Sequence, residues 1–509
     1  MTTATRPPTA DRQPPEGLSE LPLSWVWTKL GAVLSHIEAG RSPKNQGRPA
    51  RDGEFGVLKV SAVSWGEFLA EENKALLPGD IAEPELTVRA GDLLISRANT
   101  SELIAAVVYV AHDHPHLMLS DKTLRLVPAS SDVSAKYLLY ALRTPQARDF
   151  FARNATGTSD SMRNISQEKI REVPIPLPPP AEQRRIVARV EALLTQARTA
   201  REALAPLPAL VKRLRQAVLA AAFSGRLSQP EPGDEPAAEL LERIRAEREQ
   251  PSGRRNREVA RPLPEGLSEL PEGWAWATVE ELAAQEPYAL TDGPFGSNLK
   301  TADYVVAGVR VIRLQNIGIA EFRDSNRAYI SEQKFAELQK HEAQAGDVII
   351  AALADPVGRA CLVPEGIGRA IVKADCIRLR LNASIADPKY VTFALNTPAH
   401  FKRAADATHG VGRERINLGA IRNFAIPLAP LAEQRRIVAR VEALLSQADV
   451  IEAAARAAGG RIADIERAVL ARAFRGELVE QEAGDEAAGA LLGRIGVGWM
   501  ERGTNKRSR

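Results

Sequence analysis

PLPPPAEQRRIVARVEALLTQA, residues 176–197, returns as PLAPLAEQRRIVARVEALLSQA at residues 427–448, with only Pro178, Pro180 and Thr195 replaced, by Ala429, Leu431 and Ser446. Self-similarity of this kind marks a duplicated structural unit. Outward from it, PEGLSELP recurs at Pro15 and Pro264, and a Trp-x-Trp at Trp25/Trp27 and Trp274/Trp276. AVLAAAFSGRL at Ala217 is matched by AVLARAFRGEL at Ala468, and GDEPAAELLERI at Gly233 by GDEAAGALLGRI at Gly484. The repeat therefore runs over nearly the whole chain. Inside it, residues 30–130 and 280–380 share little beyond GDLLIS at Gly91 and GDVIIA at Gly346. Divergence within a kept frame predicts two modules of one fold with different binding faces.

Each half reads as a mixed domain followed by a long helix. In the first, GVLKVSA at Gly56, DLLIS at Asp92, LIAAVVYV at Leu103 and TLRLV at Thr123 are short β-rich runs punctuated by turn residues. A helix over Lys136 to Ala152 and a short one from Ser166 precede VPIPLPPP. The second half repeats the order, with strands near Val309 and Val348, a helix from Pro388 capped by Asp387 and a short helix near Asn417. The fold class is α+β.

The long helices carry apolar residues at alternating steps of four and three. In the first copy these are Ile186, Val190, Leu193, Ala197, Ala200, Leu204, Leu207, Val211, Leu214 and Val218. In the second they are Ile437, Val441, Leu444, Ala448, Ile451, Ala455, Ala458, Ile462, Ile465 and Val469. That is a coiled-coil seam in each copy, and two seams in one chain can satisfy each other as an antiparallel pair. The alternative is that each stripe packs on its own domain. Glu182 and Glu433 sit in the first turns, where the helix dipole favours an acid. Breakers at matched places, Pro206/Pro208 and Gly459/Gly460, predict a kink in both helices. SGRRNREVARPLPEG reads as a linker before the second domain.

With 509 residues the chain is too long for one core. A formal charge of +3 leaves room only for local cationic patches. Cys361 and Cys376, without a CxxC pair, support neither a disulfide framework nor a zinc ribbon, and fit a reducing cytosol. No stretch has the roughly 18 consecutive apolar residues of a membrane span, and the N-terminus has no apolar signal core. The expected location is cytoplasmic, with no membrane contact.

A variable domain, then PIPLPPPAEQRRIVARVEALL, then a coil ending AF-x-G-x-L, all duplicated, resembles the specificity subunits of type I restriction-modification systems. The motifs that carry the resemblance are GVLKVSAVSWGEF, GDLLISRANT and ATGTSDSMRNIS in the first half. In the second they are DGPFGSNLK, GVRVIRLQNIG and RINLGAIRNFAIPL. GDVIIAALADPVG departs from the pattern, because the tail seen at Ser96 to Thr100 has no counterpart there.

The resemblance implies two tandem mixed target recognition domains separated by two long antiparallel coiled-coil helices, with a pseudo-two-fold internal repeat. The boundaries read as a tail 1–20, recognition domain 21–180, central helical spacer 181–227 and short helix and linker 228–262. A second recognition domain 263–431, C-terminal spacer 432–479 and C-terminal tail 480–509 follow. Each domain would read one half of a bipartite, asymmetric site in double-stranded DNA. The helices would set the gap and dock two methyltransferase subunits, which use S-adenosylmethionine. A translocase-nuclease subunit using ATP and Mg would join for restriction. The chain itself would bind no cofactor or metal and catalyse nothing. Open alternatives are service to a fused restriction-methylation enzyme or a methylation-only defence system, and a scaffold whose domains bind protein.

Reading DNA needs donors for phosphates and side chains that reach base edges, with Arg suited to guanine and Asn or Gln to adenine. Loop candidates in the first domain are Arg41, Lys44, Lys59, Ser61, Arg97, Asn99, Arg163 and Asn164. In the second they are Lys300, Arg313, Gln315, Asn316, Arg413 and Arg415. Any one of these is as readily a solvated charge or a turn-forming amide. Rival chemistries lack their parts: there is no GxxxxGK[ST] phosphate loop, and ADPV at Ala354 lacks the second proline and the aromatic of an adenine methyltransferase motif. Asp355-Pro356 reads as a turn, and His112, His114 and His116 as a surface loop, without further ligands at metal spacing.

Overall fold

The computed structural model describes residues 20–77, 83–160, 162–249, 263, 266–353, 355–408 and 415–505. It divides into two compact units, residues 1–204 with 458–509, and residues 205–457. Each unit thus joins one mixed domain to the first half of its own long helix and the last half of the other.

In the first unit, strand Val26–Lys29 pairs antiparallel with Pro174–Leu177, the strand that leads into helix Pro180–Leu204. A four-stranded antiparallel sheet runs Leu34–Ala39, Thr123–Pro128, Leu93–Ser96, Val107–Tyr109. Its apolar face meets Tyr137, Leu138 and Phe151 in the core. A second sheet, Asn73–Ala75, Gly56–Leu58, His114–Met118, Thr87–Val88, contains one parallel pairing, Gly56–Leu58 with His114–Met118. The second unit repeats this plan. Ala275–Thr278 pairs with Ala425–Leu428, and a four-stranded sheet runs Leu290–Asp292, Cys376–Leu379, Val348–Ala351, Ala360–Leu362. A five-stranded sheet has its parallel pair between Val309–Ile312 and Ala370–Val372.

The expected cap forms, with Asp387 accepting backbone N–H groups of the helix it opens, and the structure adds Ser166 and Asn417 as caps of the two short helices. The expected helix Lys136 to Ala152 is two helices, Ala135–Ala141 and Pro145–Asn154, because Thr144 caps a new start with Pro145 in the first turn. The histidine cluster is only partly a loop. Strand His114–Met118 begins inside it, with the His114 ring 5.0 Å from Phe68 and the His116 ring 5.0 Å from Phe55.

The repeated motifs explain one another. The Glu182 carboxylate, buried in the first turn, accepts the Trp25 indole N–H at 2.9 Å, and Glu433 accepts that of Trp274 at 3.1 Å. Burial pushes the Glu182 carboxyl up from the usual carboxylate range, opposed by the hydrogen bonds from Trp25 and Gln481. Gln183 accepts the N–H of Ser134, and Gln434 that of Asp387, so each amide fastens the cap of a neighbouring helix. Arg185 and Arg436 reach the aspartates of the GDE segments, Asp485 and Asp234, both at 2.6 Å. The glycine of AF-x-G-x-L is explained too. Gly476 and Gly225 have φ of +74° and +72°, and a Cβ would lie 2.3 Å and 2.4 Å from Pro22 and Pro271 of the SELP repeats.

Within each unit the helices pair antiparallel, as the ion pairs show. Arg185–Asp485 and Arg201–Glu466 run in opposite order in the first unit, as do Arg436–Asp234 and Arg215–Asp449 in the second. The seam is buried at Ile186, Val190, Val211, Val218, Ile437, Val441 and Val469, and half-buried at Leu193, Leu444 and Ile462. It is interrupted by exposed positions, Leu214 at 40%, Ile451 at 43% and Ile465 at 53%.

The matched kinks are not matched. The first helix stops at Leu204 and restarts at Leu207, but Leu431–Ala473 runs unbroken through Gly459 and Gly460. Proline removes a donor and clashes with the preceding turn, whereas glycine keeps its N–H and costs only about 1 kcal/mol in a helix. The stretch read as a tail, 480–509, forms helix Ala488–Asn505 and buries Ala488, Leu491 and Ile495 in the first unit's core. The linker after Glu249 falls almost wholly outside the described residues. Cys361 and Cys376 are free and buried, and burial pushes the Cys361 thiol up to about 12. Among the described residues no helix is long and apolar enough to cross a membrane.

Candidate nucleic-acid interface

In the first unit, strand Gly56–Leu58 delivers Lys59 into the 3-10 turn Val60–Val63. Lys59 and Ser61 both turn to Glu72, at 3.4 Å and 2.5 Å. The Ser61 hydroxyl, and then the Lys59 ammonium, hold the Glu72 carboxyl below the usual carboxylate range. Next to the turn, strand Ala98–Asn99 pairs with Met162–Asn164, placing Arg163 opposite Asn99 and Asn164 opposite Ala98. Asn99 donates to the Ser64 hydroxyl at 2.9 Å, which ties the strand pair to the turn. Arg163 donates to the carbonyls of Ala155 at 2.7 Å and Gly157 at 3.3 Å. Arg97 and Asn164 are exposed. The structure therefore gathers Lys59, Ser61, Arg97, Asn99, Arg163 and Asn164 from three separate stretches of chain. Arg41 and Lys44 sit on another loop, where Arg41 is ion-paired to Glu83 at 2.8 Å and Lys44 is exposed.

In the second unit, strand Val309–Ile312 delivers Arg313 into the turn Leu314–Asn316 in the same way. Gln315 is exposed at its apex. Asn316 is not available to a base: it is fully buried, accepting the Arg313 N–H at 2.9 Å and donating to the carbonyls of Arg323 and Ser325 at 2.8 Å and 2.9 Å. Its sequence signal, an amide in a loop, fits a structural brace equally well. Arg415 bridges Leu353 as Asn164 pairs with Ala98, and its guanidinium lies 4.7 Å from the Phe295 ring and 3.3 Å from Asp375. Lys300 is exposed at the start of turn Thr301–Asp303, while Arg413 lies outside the described residues.

Sequence reasoning missed the groups that stiffen these loops. The buried Arg359 donates to the carbonyls of Ile317 and Leu314 at 2.7 Å and 3.2 Å, and Arg143 donates to that of Gly66. It also missed that KVSAVSWGEF and RLQNIGIAEF are the same loop. Ala62 N–H bonds to Lys59 and Leu69 N–H to Ala62, as Asn316 bonds to Arg313 and Arg323 to Asn316. The shared Glu-Phe at 67–68 and 321–322 was the available signal. Chemically both sites offer cations and amides on braced loops, suited to phosphates and base edges.

The family model described as type I restriction modification DNA specificity domain matches residues 23–205 and 303–457. The specificity subunit of the type I restriction enzyme EcoKI of Escherichia coli strain K12 is 23% identical over 505 residues, covering 96% of this chain and 98% of that relative. That of EcoEI, from Escherichia coli, is 34% identical over 186 residues, which is 36% of this chain and 31% of that relative. The crystal structure of the HsdS subunit from Thermoanaerobacter tengcongensis shares the fold, with a TM-score of 0.54 at 22% identity, covering 91% of this chain and 99% of that one. With more than half of its residues matched by the family model, and the duplicated frame described above, the chain belongs to the type I restriction-modification DNA specificity family.

Proposed function

We propose that each mixed domain reads one half of a bipartite, asymmetric site in double-stranded DNA through the turn and strand pair just described. The observation that carries the reading is that both units build the same braced loops yet present different side chains on them. Lys59, Ser61 and Asn164 on one are replaced by Arg313, Gln315 and Arg415 on the other. A scaffold kept between two readers of different sequences would be expected to vary in this way. The chain has the role of choosing the site, and the paired helices set the gap. The exposed apolar seam positions Leu214, Ile451 and Ile465 support docking of methyltransferase subunits along these helices. S-adenosylmethionine, ATP and Mg belong to the partner subunits in this reading.

Methylation mapping in cells that express the full chain with its methyltransferase subunit tests the proposal. The expected result is a split, non-palindromic motif. Changing Gln315 and Arg415 should alter only one half of it. Alteration of both halves, or methylation without sequence preference, would refute the division between the domains.

A further inference from the structure

The equivalence of the two turns places Trp65 and Ile319 at the same position of the same loop. Trp65 is 64% exposed and Ile319 47% exposed, each at the tip beyond the 3-10 turn. The next residue has a left-handed backbone in both, Gly66 at φ +88° and Ala320 at φ +54°. Alanine adopts that conformation only against a steric cost, so the tip is kept even where its sequence opposes it. The tips are braced from behind by unrelated groups, Arg143 on the Gly66 carbonyl and Arg359 on those of Leu314 and Ile317. Phe68 and Phe322 pack into the cores that follow. Both domains therefore hold one large apolar side chain in water on a stiff loop.

We propose that Trp65 and Ile319 are apolar wedges that press against the base pairs of duplex DNA, positioning each domain in its half-site. The proposal rests on the DNA-reading function above. The charge pattern favours DNA over a protein partner. Lys59 and Arg313 enter the turns at matched positions, and Ser64 ties the Trp65 tip to Asn99 and, through strand pairing, Arg163. Trp65 stands beside Lys59, Ser61 and Asn99, and Ile319 beside Arg313 and Gln315, polar groups suited to phosphates and base edges. Glu67, next in the first loop, is an exposed acid that phosphates repel but a cytosine amino group satisfies, so that tip suits the interior of a groove, while Glu321 in the second loop is ion-paired to Arg323 at 3.4 Å. Apolar wedges of this kind partly unstack base steps, and aromatic ones stack on them.

The test uses the full chain and two duplexes, one carrying the site found by methylation mapping and one with that site scrambled. Trp65→Ala should weaken binding to the site duplex roughly tenfold or more, with Trp65→Phe retaining most of the affinity and the melting temperature unchanged. The salt dependence should keep its slope, because an apolar contact releases no counterion, whereas Lys59→Ala should lower it. With six tryptophans in the chain, the difference between wild type and Trp65→Phe isolates the Trp65 fluorescence, which the site duplex should quench. Equal affinity of Trp65→Ala, or a Trp65 signal that only the methyltransferase subunit changes, would overturn the wedge and leave the DNA-reading function standing. A wild-type chain that does not distinguish the two duplexes would overturn that function, and the wedge with it.

Discussion

The guanidinium of Arg185 holds the carboxylate of Asp485, a residue from the far end of the chain, at 2.6 and 3.3 Å. The Asp485 side chain is only 8% exposed, so removing its partner strands a nearly buried charge. Arg185→Ala should destabilise the first unit by about 1.5–3 kcal/mol. Arg436→Ala should do the same in the second unit through Asp234. Hydrogen exchange would check both, with faster exchange in helix Ala488–Asn505 for the first variant and in Ala237–Glu249 for the second. Exchange that rises equally in both units for either variant would contradict the assignment.

A chain ending near Arg257 should associate as a homodimer. The first unit needs the last half of a long helix, and the copy at 207–249 carries the same groups. Phe223 meets Tyr390 at 4.9 Å as Phe474 meets Tyr137 at 5.2 Å, and Asp234 binds Arg436 as Asp485 binds Arg185. Assembly should be weaker than in the full chain, because the second helix no longer arrives at high effective concentration. Sedimentation will show the dimer, and methylation mapping with the methyltransferase subunit should give an interrupted palindrome. A monomer at every concentration, or an unchanged asymmetric site, would oppose this.

His400 is fully buried, with its Nε2 3.2 Å from the Gly358 carbonyl and its ring 4.9 Å from Phe424. Burial, and then the nearby Arg403, push its pKa down to about 3 from an ordinary 6.5. Between these values the unfolded chain binds a proton that the folded chain refuses. The stability is complete above pH 6.5 and falls as pH drops toward 3, by up to about 1.4 kcal/mol per pH unit. Urea titrations of wild type and His400→Phe between pH 7 and 5 will check this, with the variant showing the flatter pH dependence.

Asn316 and Gln315 are neighbours with opposite expectations. Asn316→Ala breaks three hydrogen bonds in a fully buried site and should cost about 2–3 kcal/mol. Gln315→Ala touches an exposed side chain, so stability should stay within about 0.5 kcal/mol while the bases selected in one half-site change. Thermal melts and methylation mapping together separate the two. A stable Asn316→Ala with altered base preference would reverse the roles.

The frame was legible in the sequence because it was written twice, and the helices because the four-three stripe and the Asp387 cap are local signals. The long-range purpose of the repeats was not legible. AEQRR reads as a helix start, and nothing within a few residues tells that its Glu, Gln and second Arg address Trp25, Ser134 and Asp485. The helix break at Pro206 and the continuity at Gly459 differ through one backbone donor, which a count of breakers ignores. In the site, residue type suggested Asn316 and passed over Trp65. Exposure follows from which side of a turn faces the core, and that is settled by contacts from distant stretches such as Arg359.

The division of the chain also orders its manufacture. The second unit, 205–457, is contiguous, so it can close as soon as its last residue is made. The first unit is begun at the start of synthesis but is completed only by Val469, Phe474, Leu491 and Ile495. Roughly 290 residues separate Leu204 from Ile495, which at about 5–20 residues per second is about 15 to 60 s on the ribosome. During that wait Ile186 and Val190 lack their final cover, and the incomplete half is the one that calls for a chaperone or for rapid translation.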